Sequence, residues 1–215
     1  MIAGRVACGA LVSGAGTNLE ALLRAAARPD YPARVAVVIS NRPSAAALEI
    51  ARRAGIPAFA MPQSAFNGDA GARDRAMLML LREHGVAVVV CAGYDRILSD
   101  ELLDAFPDAI LNVHPSLLPA FAGGMSAVED ALAYGVRVTG CTVQLLERGE
   151  PDGGPIVLQA PVAIEPDDDA DTLRQRIHEQ EWRLLPHALE LLAAGRIRRA
   201  GRRVRILDAA TAVAR

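Results

Sequence analysis

The sequence contains no lysine; all 23 of its basic residues are arginine. That absence excludes a Walker-type phosphate loop, whose lysine reaches the phosphates, and any lysine Schiff base. Cysteine is scarce. Cys8, Cys91 and Cys141 stand singly in apolar, strand-like runs, with neither metal-ligand spacing nor a disulfide framework. They are expected to be buried thiols that pack as small hydrophobes. No apolar run is long enough to span a bilayer. The apolar start from Met1 to Val12 is broken by Arg5 and enters a glycine loop, unlike a secretory signal. An excess of one charge is lacking too: a net charge of -2 asks for no polyanionic partner. A cytoplasmic protein, monomeric or homodimeric, is expected, with no membrane or nucleic-acid partner.

What is present is enough for one domain: 215 residues, 52% of them hydrophobic. Arg5–Val12, Val35–Ser40, Pro57–Met61, Val86–Cys91 and Ala109–Val113 read as strands. Helices are predicted from about Asn18 to Arg28, Ser44 to Ala54, Asp69 to His84 and Asp100 to Ala105. Apolar strands alternating with amphipathic helices argue for a Rossmann-like α/β fold, mostly parallel, with helices on both faces. After Pro119 the rhythm changes. A short helix at Ala127–Tyr134 precedes paired strands, Val138–Leu146 and Ile156–Ile164, around the loop Glu147–Pro155. A long helix from Ala170 to Ala193 and a small hairpin over Arg196–Arg205 complete a mixed, antiparallel extension. Residues 1–113 and residues 114–215 are expected to form the two halves of a single domain.

The loop Ser13-Gly14-Ala15-Gly16-Thr17-Asn18 lies between the first strand and the first helix. Its glycines let backbone approach a ligand, and free N–H groups at a helix start favour an anion. A turn without any ligand would look much the same. A dinucleotide is excluded on two counts. The third small residue of that motif is replaced by Leu19, and Ser40-Asn41 stand where a ribose-binding acid belongs. A single phosphate held by Gly16, Thr17 and Asn18 suits the loop better.

Asn112 and His114 are two apart on a strand, so they point the same way. Both lie at the carboxyl end of a sheet strand, where open α/β folds bind ligands. Asp152 offers a carboxylate among turn residues. A carboxamide N–H and an imidazolium stabilise charge on the oxygen of an attacked acyl group. Histidine also suits the proton transfers that acylation of an amine requires. The bland alternative is a histidine that ends a strand and an aspartate that makes a turn.

Asn112-Val113-His114-Pro115-Ser116-Leu117-Leu118-Pro119, followed by Asp152-Gly153-Gly154-Pro155, resembles the folate-dependent formyltransferases. With the Gly16-Thr17-Asn18 loop, the chain is similar to the branch of that family acting on glycinamide ribonucleotide, from about Arg5 to Arg198. The resemblance implies the formyltransferase fold and transfer of the formyl group of 10-formyltetrahydrofolate to 5-phosphoribosylglycinamide, in de novo purine biosynthesis. It implies that Asn112, His114 and Asp152 are catalytic, with Asp152 favouring the protonated imidazole. It also implies that Gly16, Thr17 and Asn18 hold the substrate phosphate and that Glu181 contacts the ribonucleotide, with His178 one turn earlier. Tyr94-Asp95-Arg96-Ile97-Leu98 would line the pterin pocket through backbone contacts, alongside Asn112. The chain departs from the family pattern at Ala122, at Met125-Ser126 and at Gln144, where histidine is common. The arginine usual before the third helix has only Arg73 nearby.

Other features are not read as sites. Glu165, Asp167, Asp168, Asp169 and Asp171 suit a solvated acidic start to the long helix. The arginines from Arg196 to Arg205 suit a solvated hairpin, since no stacking aromatics accompany them. Ser116 lacks the context of a hydrolase nucleophile, and no metal is expected. Two rivals remain at this point: a 10-formyltetrahydrofolate hydrolase, in which water accepts the formyl group, and a non-catalytic module binding a phosphorylated ligand.

Overall fold

The computed structural model describes residues 4–149 and 151–208, which leaves Glu150 of the expected catalytic loop and Met1 outside. The first half alternates strictly between strand and helix: β1 (Val6–Val12), α1 (Thr17–Ala26), β2 (Ala33–Ser40), α2 (Ala46–Arg53), β3 (Ala58–Ala60), α3 (Ala70–Glu83), β4 (Val88–Cys91), α4 (Asp100–Ala105) and β5 (Ile110–His114). The second half adds α5 (Ala127–Tyr134), β6 (Val138–Leu145), β7 (Ile156–Ala163), α6 (Ala170–Ala193), and a hairpin of β8 (Ile197–Ala200) and β9 (Arg203–Ile206). Seven strands form one sheet in the order β3-β2-β1-β4-β5-β6-β7. The first five are parallel, and β6 and β7 return antiparallel.

Burial explains this order. β1, β2 and β4 are almost continuously apolar and buried, as strands covered on both faces must be. Leu19 and Leu22 of α1 and Ile177, Leu185 and Leu189 of α6 pack on one face of the sheet. Met77 and Leu81 of α3 and Leu102 of α4 pack on the other. Close contact is built in at Gly9, where a Cβ would stand 2.4 Å from Leu81. β3 is shorter than the expected Pro57–Met61, and its Phe59 is 39% exposed, because an edge strand has only one neighbour to bury it. A 3-10 turn at Gln63–Phe66, which no periodicity announces, leads into α3. Asp69 caps α3, Ser99 caps α4, and Asp169 with Thr172 forms a capping box on α6.

The three cysteines are free and buried, and burial pushes each thiol up to about 12. Among the described residues, no helix is long and apolar enough to cross a membrane. Two expectations need correction. Asp168 is not a solvated acid, since it accepts from the Glu165 N–H at 2.7 Å and pairs with Arg176. The terminal hairpin is not merely solvated either. Arg199 pairs with Asp108 at 2.7 Å and with Glu147, and Arg202 donates to the Gly153 carbonyl at 2.6 Å. Ile197 and Val204 pack one face of the ribbon against the core, and Arg202 braces it against the loop beside Asp152.

Candidate active site

The order of the sheet reverses at β1 and β4, and the loops after these strands open a crevice there. Ser13 N–H donates to Gly93 O at 3.0 Å, and Ala92 N–H to Leu11 O at 2.8 Å, which ties the two loops together. Asp95 is the hub of this junction. Its carboxylate accepts from Asn41 at 2.8 Å and from Ser13 Oγ at 3.0 Å, and it pairs with Arg42. Burial raises the pKa of Asp95, but the bonds from Asn41 and Ser13 and the charges of Arg42 and Arg96 outweigh it, leaving a net lowering. Asp95 thus spends its side chain on joining the ends of β1, β2 and β4, and, with its N–H donating to Ser13 Oγ at 2.9 Å, its carbonyl is what remains for a ligand. Leu98 is buried in the core, whereas Ile97 is 76% exposed. Of the expected pterin segment, Ile97 therefore offers the apolar surface.

A cleft of about 270 Å³ lies over the start of α1. Gly14–Asn18 line it from one side, the first residues of α5 from another, and Arg174, His178 and Glu181 of α6 from a third. The N-cap Gly16 is left-handed at φ 87, and no side chain caps the helix. The first N–H groups of α1 are consequently available to an anion. Only glycine fits here, since a Cβ would lie 2.8 Å from the Ala47 Cα. Asn18 donates to Glu181 Oε2 at 2.8 Å. Burial lifts the Glu181 carboxyl to about 7, against a small lowering from Asn18. Burial, then the nearby charge of Arg174, holds His178 below the usual histidine value. Arg174 is therefore the permanent cation of the cleft wall, paired with Glu129 and with Asp171 at 2.7 Å. The sequence offered little signal for it beyond its place one turn before His178. The boundary at residues 113 and 114 passes through β5, and the cleft draws its lining from both sides of it.

Val113 and Pro115 line the same cleft, which places His114 at its edge. The pleat of β5 sets Asn112 opposite Gln144 and His114 opposite Thr142 on one face of the sheet. His114 is 5% exposed. Its Nδ1 lies 3.2 Å from Asp152 Oδ2, and its Nε2 donates to Phe121 O at 3.0 Å. Both ring nitrogens thus face oxygen atoms. Asp152 has a left-handed backbone, φ 57. Its carboxylate also accepts from Gly123 N–H at 2.9 Å and from Gln144 Nε2 at 2.8 Å. Asn112 is half-buried and takes no part in that network. Ser116 is a turn residue: Oγ donates to Ala120 O at 2.5 Å, and its carbonyl accepts from Thr142 at 2.7 Å.

The family described as formyl transferase matches residues 6–189. The chain belongs to the formyl transferase family. The chain is similar to the phosphoribosylglycinamide formyltransferase of Mycobacterium tuberculosis (strain ATCC 25618 / H37Rv), at 45% identity over 202 residues, covering 91% of this chain and 92% of that one. It is 39% identical over 193 residues to the trifunctional purine biosynthetic protein adenosine-3 of Gallus gallus, covering 90% of this chain and 19% of that one. The chain thus spans about a fifth of that relative. The crystal structure of glycinamide ribonucleotide transformylase 1 from Symbiobacterium toebii matches this chain with a TM-score of 0.91 and 48% identity, covering 95% of both chains.

The remaining departures have structural answers. Arg73 is not available to a ligand as a free cation. It is 1% exposed and forks onto Asp74 Oδ1 at 2.9 and 2.7 Å, while Asp74 Oδ2 accepts the Ser99 N–H at 2.6 Å. This buried unit ties α3 to the start of α4. Met125, at 79% exposed, stands at the mouth of the cleft.

Proposed function

We propose that the protein transfers the formyl group of 10-formyltetrahydrofolate to the amine of 5-phosphoribosylglycinamide, as a cytoplasmic enzyme of purine biosynthesis. The observation that carries this reading is the His114–Asp152 pair, with His114 on the strand bearing Asn112, at the edge of a cleft floored by the start of α1. The N–H groups at Gly16, Thr17 and Asn18 suit a phosphate monoester. Arg174, paired with Glu129 and Asp171, stands in the same wall, and Glu181 offers a carboxyl for the rest of the ribonucleotide. The cleft as a whole accepts a phosphorylated substrate, which a hydrolase using water would not need.

The formyl donor supplies an activated one-carbon group on nitrogen. The Asn112 carboxamide, free of the Asp152 network, and the exposed Ile97 beside the β4 loop are consistent with such a ligand lying over the end of β5. As the substrate amine bonds to the formyl carbon, charge develops on the formyl oxygen, and Asn112 and His114 supply N–H donors for it. His114 reaches that oxygen by giving up its bond to Phe121 O. The amine must shed a proton and the leaving nitrogen must gain one before their bond exchange is complete. His114, held by Asp152, is the group suited to carry that proton. No metal is invoked, and among the described residues no His, Cys, Asp and Glu cluster would hold one.

The test is a spectroscopic turnover assay with 10-formyltetrahydrofolate or its dideaza analogue, with and without glycinamide ribonucleotide. Folate release that requires the ribonucleotide is the expected result. Release without it would make the protein a hydrolase, and tight ribonucleotide binding without release would make it a binding module.

A further inference from the structure

Gln144 is fully buried in β6, directly across from Asn112. Its Nε2 donates to Asp152 Oδ1 at 2.8 Å, while Asp152 Oδ2 faces His114 at 3.2 Å and accepts the Gly123 N–H. Only the nitrogen end of a carboxamide can face a carboxylate. Gln144 Oε1 is therefore turned away, and it is buried without a partner among the described residues. A buried acceptor left unsatisfied opposes folding. A side chain present for packing alone would carry no such atom.

The contrast in backbone is informative. Asp152 belongs to an irregular loop, where the Gly123 N–H, from another loop, meets its Oδ2. Gln144 belongs to a strand hydrogen-bonded on both sides, to β5 and to β7. A side chain on such a strand is a fixed reference for one on a loop. We propose that Gln144 is a positioning residue, whose Nε2–H holds Asp152 Oδ1 and so aims Oδ2 at His114.

The kinetic side of this inference rests on the formyl-transfer reading, whereas its geometric side does not. The test uses the full chain with Gln144→Met, of similar length and without a donor, and Gln144→His, which restores an N–H. Ligand-free crystal structures of both variants are compared with kcat and KM across the neutral pH range. In Gln144→Met the Asp152 carboxylate should rotate away from His114 and kcat should fall about tenfold or more. KM for the ribonucleotide, whose cleft Gln144 does not line, should not change. Gln144→His should recover most of the rate. An unmoved Asp152 in Gln144→Met, a kcat within about twofold of wild type, or no recovery in Gln144→His would overturn the inference. If the wild-type protein transfers no formyl group, the proposed function fails, and the crystal structures alone decide the role of Gln144.

Discussion

Asn18, in the first turn of α1, donates to Glu181 on α6 at 2.8 Å, joining positions 163 apart in sequence. The bond leaves Asn18 Oδ1 buried without a partner among the described residues. An ionised Glu181 has no proton to give it, whereas a protonated one has.

The stability of the fold should therefore depend on pH through Glu181. Its pKa rises from 4.5 to about 7 on folding. Between those values the folded state holds a proton that the unfolded state has released, so stability falls as pH rises through this window and levels off above it. The full effect is on the order of 3 kcal/mol. Glu181→Gln escapes it. Thermal melts should show the variant more stable than wild type above neutral pH, with the gap closing by the acid end of the window. A gap that does not depend on pH would contradict this account.

His114→Ala and Asp152→Ala should each lower turnover by roughly a thousandfold, within the usual range for loss of a general acid–base group. Titration calorimetry should show ribonucleotide affinity preserved, because α1 and α6 build that cleft. Near wild-type rates in either variant would remove the assigned roles.

Gly16 and Gly14 make a matched pair. At Gly16 a Cβ meets Ala47 at 2.8 Å with φ at 87; at Gly14 nothing lies within 4 Å. Gly16→Ala should cost about 2–4 kcal/mol in urea unfolding, from the left-handed backbone plus the clash. Gly14→Ala should change stability by less than about 0.5 kcal/mol. Similar losses at the two sites would show that α1 and α2 tolerate separation.

Much of this arrangement is legible in local pattern. The apolar run of β4 and the leucine spacing of α1 announce themselves because burial on two faces or on one stripe leaves a period in the chain. Asn112 and His114 were assigned to one face of β5 for the same reason: the pleat has a period of two. The helix ends were less legible. α1 stops at Ala26 rather than Arg28, and Arg28 instead pairs with Glu190 of α6 at 2.8 Å. No local signal marks that partner. Asp95 also reads differently in three dimensions, since its neighbours Ser13, Asn41 and Arg42 come from strands that are adjacent only in the sheet.

By itself the sequence determined the alternation of strands and helices, the glycine loop opening α1, and the common face of Asn112 and His114. These follow from dihedral preference and periodicity, which act over a few residues. Only the tertiary structure decided that Asp152 meets His114, that Gln144 holds Asp152, and that Arg174 and Glu181 close the cleft over Gly16. Each of these contacts depends on where the sheet reverses and on β6 returning antiparallel beside β5. That pairing is selected by burial of the whole core rather than by any residue within hydrogen-bonding reach along the chain.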